Sequence, residues 1–200
     1  MKFRLLTLSA LFIAPAAFAH PGHTHHNALV EGILHPLTGL DHLVMLFGLG
    51  ILISCIAATK SAAQYSSSKL KLSLGAAALV SLAIGLLVGS VVGAVSGVEL
   101  MIAASIFVVA LGIWNAFTSR ESITKFLVTA SIGLVFFHGF AHGVEATGSL
   151  TGFGAGMLIS AAAIIFAGER LSHFIAHSAL ANKWLSGGIA ASGVALMIAS

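Results

Sequence analysis

The feature that most constrains the fold is a series of long apolar runs that fill most of the chain. A transmembrane helix needs roughly 20 apolar residues, and six segments of the sequence meet that requirement. They lie near residues 37–58, 70–93, 98–117, 123–145, 150–169 and 183–199. Only 8% of the residues are charged, whereas soluble domains have about 25%. The sequence therefore predicts an all-α integral membrane protein whose residues 35–200 form a bundle of six transmembrane helices.

The first 34 residues have a different character. Lys2 and Arg4 precede a short apolar stretch, and an Ala-x-Ala pattern ends at Ala19. This order predicts a cleavable secretory signal peptide over residues 1–19, followed by a periplasmic leader over residues 20–34. The leader begins with a cluster of histidines: His20, His23, His25 and His26. Such a cluster can capture a divalent cation, and a flexible polar leader without that role explains it equally well.

Positive charge follows one alternating set of loops. Every Lys and Arg after the predicted signal peptide lies near the loops that follow the first, third and fifth spans: Lys60, Lys69, Lys71, Arg120, Lys125, Arg170 and Lys183. The positive-inside rule assigns these loops to the cytoplasm. The mature N-terminus and the C-terminus would then both be periplasmic, in a bacterial inner membrane. Because the basic residues are scattered, the sequence gives no indication of nucleic-acid binding.

Glycines indicate where helices approach one another closely. Gly85, Gly89, Gly93 and Gly97 recur every four residues along the second span and its exit. This spacing predicts a ridge without side chains, which permits close helix packing. Glycines of the fifth and sixth spans favour the same kind of contact: Gly154, Gly156, Gly187 and Gly188.

Ionisable side chains gather at the predicted periplasmic ends of three spans. They are His35, Asp41, His42, Glu99, His138, His142 and Glu145. His138 and His142 are four residues apart on one helix face, a spacing that can clamp a metal ion. Imidazoles together with carboxylates suit divalent first-row metals, and Asp41 could be a ligand or the acceptor that orients a histidine. The combination favours a metal site over a purely structural polar network, although Glu99 taken singly is more simply a solvated carboxylate.

A smaller polar set lies on the predicted cytoplasmic side. Glu169, His173 and His177 follow one another at intervals of four residues. They could accept an ion that leaves the bundle, but a solvated amphipathic helix at the interface is the simpler interpretation. The single cysteine, Cys55, lies in an apolar segment, so the sequence supports neither a disulfide nor a thiolate metal site.

Two motifs resemble those of a known family. HPLTGLDH at residues 35–42 matches His-Pro-x-x-Gly-x-Asp-His, and FHGFAHGVE at residues 137–145 matches Phe-His-Gly-x-Ala-His-Gly-x-Glu. With the leader and the six-span layout, they resemble the HupE/UreJ family of bacterial membrane proteins. Pro36 in the first motif is suited to the first turn of a helix, which predicts that Leu34 and His35 are extended.

The resemblance implies a nickel permease or secondary transporter associated with hydrogenase and urease maturation, with cobalt as the substrate of some relatives. It also implies which residues handle the metal: His35, Asp41, His42, His138, His142 and Glu145.

The expected function is therefore transport of a divalent transition metal ion, with Ni²⁺ favoured and Co²⁺, Zn²⁺ and Cu²⁺ open as substrate or ligand. The sequence has no Gly-x-x-x-x-Gly-Lys-Ser/Thr loop, so ATP is not expected to be the direct energy source. One alternative is a membrane-embedded zinc hydrolase in which Asp41 or Glu145 activates water. Another is a metal-binding accessory protein that does not transport. A homo-oligomer is compatible with each of these three functions.

Overall fold

The computed structural model describes residues 27–59, 66–116, 121–146, 148–175 and 178–199. The predicted signal peptide, the four leader histidines and His177 lie outside these ranges. Seven helices and no strand occur within them. The helices are α1 (Ala28–Thr38), α2 (Leu40–Ala57), α3 (Ser67–Val92), α4 (Val98–Ala116), α5 (Glu121–Glu145), α6 (Leu150–Ile175) and α7 (Ala179–Ala199).

Five of these helices, α2 to α6, are long and apolar enough to cross a membrane. Each coincides with a predicted span, although α6 continues six residues past the predicted end at residue 169. The sixth predicted span corresponds to α7, whose apolar part, Lys183–Ile198, is shorter than the other five. The all-α, multi-pass membrane architecture is thus confirmed, and the crossing by α7 stays a prediction.

The conformation predicted just before the first span is wrong. Leu34 and His35, expected to be extended, belong to α1, and Pro36 lies in the last turn of that helix. Proline only biases the preceding residue away from helix, and here Gly32 and Pro36 are buried in a helix that packs along α6. That packing outweighs the local preference. Residues 28–34, placed in the leader, are part of this helix. The chain becomes extended at Gly39 instead, with φ −77° and ψ 112°, before α2 begins.

Three pairs of helices pack with their backbones in contact. Between α1 and α6, a Cβ added to Gly32 or Gly156 would collide with the backbone of the other helix. Gly50 and Gly168 have the same reciprocal relation between α2 and α6. The most extensive crossing joins α3 and α5 and uses two glycines from each helix: Gly85, Gly89, Gly139 and Gly143. In lipid, such close contact replaces the hydrophobic effect as the force that associates helices.

The predicted glycine ridge is only partly correct. Gly85 and Gly89 are buried against α5, as predicted. Gly93 and Gly97 lie beyond the end of α3 with φ values of 78° and 92°, and an added Cβ at either position would meet no described residue within 4 Å. These two glycines permit a turn that other residues rarely adopt. Added Cβ atoms on Gly187 and Gly188 of α7 also meet nothing within 4 Å among the described residues, so the predicted contact there is absent.

Helix α2 is surrounded by the rest of the bundle. It packs against α3, α4, α5, α6 and α7, and Met45, Leu49 and Leu52 are fully buried along it. The first turn of α2, which carries Asp41 and His42, therefore begins in the middle of the bundle rather than at its periphery.

The backbone contact between α3 and α5 can be tested with two substitutions on α3. Gly85→Ala forces a methyl group against the carbonyl of Phe136, and overpacking of this kind costs roughly 1–3 kcal/mol. Gly75→Ala is the matched control, because no atom of the described part of the chain lies within 4 Å of its added Cβ, and alanine favours a helix by roughly 0.5–1 kcal/mol over glycine. Unfolding in detergent should occur at a lower temperature for Gly85→Ala and not for Gly75→Ala. Equal unfolding temperatures for the two variants would contradict this packing.

Candidate metal centre

Four imidazole rings meet at one end of the bundle. His35 comes from the last turn of α1, His42 from the first turn of α2, and His138 and His142 from the end of α5. The ring centroids of His35 and His142 are 4.1 Å apart, those of His42 and His142 4.4 Å, and those of His42 and His138 4.8 Å. Only 2% of His42, 1% of His138 and 7% of His142 is exposed. We call these four residues the histidine cluster.

Gly39 separates the two helices that bring His35 and His42 together. Its N–H donates to the carbonyl of His35 at 2.9 Å, and its own carbonyl accepts from Leu43 at 2.9 Å, so it ends α1 and begins α2. An added Cβ at Gly39 would lie 3.1 Å from Asp41 Oδ1 and 3.2 Å from His42 Nδ1. The glycine of the first motif therefore leaves room for the two polar side chains that follow it.

His42 occupies the centre of the cluster and has a possible partner at each ring nitrogen. Its Nε2 lies 2.6 Å from Nε2 of His142. Its Nδ1 lies 2.8 Å from Oδ2 of Asp41, although that contact lacks the alignment of a hydrogen bond. Two imidazole nitrogens so close together need either a proton or a cation between them, because two lone pairs repel.

Ser105 of α4 determines which nitrogen of His138 carries the proton. The hydroxyl of Ser105 donates to the carbonyl of Ile102 at 2.6 Å, so its oxygen is left to accept from Nε2 of His138 at 2.8 Å. His138 is then protonated at Nε2, and its Nδ1 retains a lone pair. That Nδ1 atom is buried and has no hydrogen-bond partner among the described residues. It lies 3.9 Å from Asp41 Oδ2.

No sequence pattern selects Ser105 as a site residue. It is an isolated small polar residue in an apolar helix, and its partner lies 33 positions away. No spacing rule connects two residues on different helices, so only the structure identifies this contact.

Two overlapping groups of side chains have the composition and proximity of metal ligands. One consists of His35, His42 and His142, and the other of Asp41, His42 and His138. The possible ligand atoms within each group lie within 4.8 Å of one another. Since bonds from zinc to histidine nitrogen are about 2.0–2.1 Å long, two ligands of one ion can be at most ~4.2 Å apart. Small side-chain movements therefore suffice for either group to close around a first-row dication.

A cavity of about 590 Å³ lies beside the histidine cluster between α2, α4, α5 and α7. Asp41, His42 and His142 line it, together with the exposed carboxylates Glu99 and Glu145. Glu145 Oε2 lies 3.7 Å from Nδ1 of His142. Five of the seven ionisable residues selected from the sequence thus line this cavity. The other two, His35 and His138, lie against the rings of His142 and His42. Carboxylates that line such a cavity raise the local concentration of cations.

His35 lies in α1, outside the five long apolar helices. Burial is the main cause that lowers the pKa of His35 to about 4, and the charges of His142 and His42 lower it further. His35 is therefore neutral near pH 7, and a neutral imidazole has the lone pair that metal binding requires.

Glu169 and His173 lie at the opposite end of the bundle from the histidine cluster. Lys71 of α3 donates to Ser54 at 3.1 Å, and its Nζ lies 3.3 Å from Nε2 of His173. The ammonium group of Lys71 is thus placed to donate a hydrogen bond to Nε2 of His173, the nitrogen that would otherwise bind a metal ion. Within the described part of the chain, no group of three possible metal ligands includes Glu169 or His173.

Comparison with known proteins gives one family. The family model described as HupE / UreJ protein matches residues 8–196. Protein HupE of Rhizobium leguminosarum bv. viciae is 27% identical over 204 residues, which cover 99% of this chain and 100% of that protein. No solved structure matches the chain.

Substitution of Ser105 tests the proton assignment of His138. In Ser105→Ala the buried Nε2–H loses its acceptor, so we expect the free energy of unfolding to fall by roughly 1–3 kcal/mol. Ser131→Ala is the matched control, because Ser131 is equally buried and its hydroxyl has no hydrogen-bond partner among the described residues. Nitrogen-15 NMR of the histidine rings in the parent protein should show His138 protonated at Nε2. A ring protonated at Nδ1, or equal losses of stability in the two variants, would show that the assignment is wrong.

Proposed function

This chain belongs to the HupE/UreJ family, and from that premise we propose that it carries a divalent transition-metal ion across the bacterial inner membrane. Ni²⁺ is the favoured substrate and Co²⁺ the second choice, while Zn²⁺ and Cu²⁺ suit the same nitrogen and oxygen donors. The observation that carries the proposal is the convergence of four imidazoles and Asp41 at one end of a largely apolar bundle.

The route into the site begins at the cavity wall. Glu99 and Glu145 are exposed there, and their negative charge attracts a hydrated dication. The imidazoles of His35, His42 and His142 then replace water ligands. The half-buried His35 and the buried His42 and His142 are suited to this step, because their ring nitrogens are held close together before the ion arrives.

The distribution of charge supports inward transport. Lys69, Lys71 and Lys125 lie at the end of the bundle opposite the histidine cluster, which is the cytoplasmic end by the positive-inside rule. The cluster then faces the periplasm. A negative-inside membrane potential contributes about 2.3 kcal/mol per charge per 100 mV, so a dication gains roughly twice that amount on its way in. Membrane potential is therefore a sufficient driving force without nucleotide hydrolysis.

The imported ion would supply the maturation of a metalloenzyme such as a hydrogenase or a urease, which the family resemblance implies. A carrier of this kind must release its ion. A membrane-embedded hydrolase would instead retain a firmly held metal with one open coordination position, and an accessory protein would bind the ion without moving it.

Metal uptake into proteoliposomes tests the transport function. The double variant His138→Ala/His142→Ala removes one nitrogen ligand from each of the two groups in the cluster. Because loss of even an outer-shell partner of a metal ligand costs 10–100-fold, we expect its Ni²⁺ uptake to fall by at least about tenfold. Ser131→Ala, on the same helix, should retain parental uptake, and circular dichroism should show equal helix content in all three proteins.

Two outcomes would contradict the proposal. Parental protein that binds Ni²⁺ but gives no uptake under an inward-driving potential would indicate an accessory protein. If the folded double variant took up Ni²⁺ as fast as the parental protein, the ion would not pass through the histidine cluster. Competition by Co²⁺, Zn²⁺ and Cu²⁺ in the same assay ranks the substrates.

A further inference from the structure

We propose that the histidine cluster contains two separate cation positions, one at each nitrogen of the His42 ring, and that His42 transfers the ion from one to the other. The outer position has His35, His42 Nε2 and His142 as ligands, and the inner position has Asp41, His42 Nδ1 and His138. The transfer rests on the proposed transport function, whereas the existence of two positions does not.

The outer position lies on the side of the cluster towards the exposed Glu145. Nε2 of His42 and Nε2 of His142 are 2.6 Å apart, and the rings of His35 and His142 are 4.1 Å apart. Glu145 Oε2 is near Nδ1 of His142, at 3.7 Å. A carboxylate at that nitrogen favours a proton there and leaves the lone pair of His142 on Nε2, which faces His42.

The inner position lies about one helical turn deeper. His138 precedes His142 by four residues, which corresponds to ~6 Å along the helix. Nδ1 of His138 and Nδ1 of His42 are buried atoms that form no aligned hydrogen bond with any described residue, and both lie near Asp41 Oδ2, at 3.9 Å and 2.8 Å. Ser105 holds the proton of His138 on the other nitrogen. Two buried ring nitrogens beside one carboxylate oxygen are a donor set suited to a cation.

The shared ring makes the two positions mutually exclusive. A neutral imidazole has one lone pair, on the nitrogen that lacks the proton. With the proton on Nδ1, His42 serves the outer position, and with the proton on Nε2 it serves the inner one. The ring stays neutral in both states, so the exchange of tautomers neither consumes nor releases a proton. At any time, one ion per chain can be bound to His42.

Co²⁺ is the probe for the two positions, because its visible absorption depends on its ligands and its X-ray absorption gives their number. His35→Ala removes a ligand of the outer position alone, and His138→Ala removes a ligand of the inner position alone. In the full-length protein in detergent, each variant should still bind one Co²⁺. We expect two histidine ligands and a carboxylate in His35→Ala, but three histidine ligands in His138→Ala. His42→Ala, which removes a ligand from both positions, should weaken binding by at least about tenfold.

The alternatives give different results. One shared site would leave the same number of histidine ligands and the same spectrum in His35→Ala and His138→Ala. A single position would make one of these two substitutions abolish binding and the other have no effect. Either result would overturn the proposal, as would two Co²⁺ ions bound at the histidine cluster of one parental chain, since that occupancy excludes sharing of His42.

Uptake measurements on the same variants test the transfer step. His138→Ala retains the outer position, so it should bind Ni²⁺ yet lose at least about tenfold in maximal uptake rate. His35→Ala should mainly raise the Ni²⁺ concentration needed for half-maximal uptake. Equal changes in both parameters for the two variants would contradict a transfer between positions. If the variants gave the predicted Co²⁺ spectra but the parental protein showed no uptake, the transport function would be refuted. The two cation positions would still be supported.

Discussion

Four imidazole rings are held together at one end of a bundle whose buried side chains are mostly apolar, and the need to satisfy their nitrogens governs the rest of this site. A buried donor or acceptor without a partner costs roughly 1–3 kcal/mol. Ser105 satisfies Nε2 of His138, and His42 and His142 face each other at 2.6 Å. The Nδ1 atoms of His42 and His138 remain without hydrogen-bond partners in the described part of the protein. A bound cation removes that cost directly, which is why the arrangement is better explained by a metal site than by a structural polar network.

Close helix packing is what aims the rings inward. In the second motif, Gly139 directly follows His138 and Gly143 directly follows His142, so each glycine lies about 100° around the helix from its histidine. The glycines contact the backbone of α3, which directs the imidazoles towards α2 and α4. The four-residue spacing of His138 and His142, each followed by a glycine, thus serves both helix packing and placement of the rings. The first motif combines them differently: Gly39 interrupts the helix, so that His35 and His42 approach the same point from consecutive helices.

The sequence predicted the positions of the long helices, because runs of apolar residues determine which segments can cross a bilayer. It also selected the residues that the structure brings to one cavity, because imidazoles and carboxylates are rare in such segments. It failed where tertiary contacts decide the outcome. Pro36 is helical because α1 packs along α6, and Gly93 lies in a turn because α3 ends before it. The contact of Lys71 with His173 links residues 102 positions apart, which no local pattern predicts.

The central claim is that a transition-metal ion binds among these imidazoles in the folded bundle. Anomalous diffraction from crystals of the Ni²⁺-loaded protein, recorded at the nickel absorption edge, tests it most directly. We expect one ion per chain, within bonding distance of His42 and bound also by His142 or by His138. The account would be contradicted if, at saturating Ni²⁺, the anomalous peak lay only at another part of the protein. It would also be contradicted if crystals in which the four rings are ordered gave no anomalous peak.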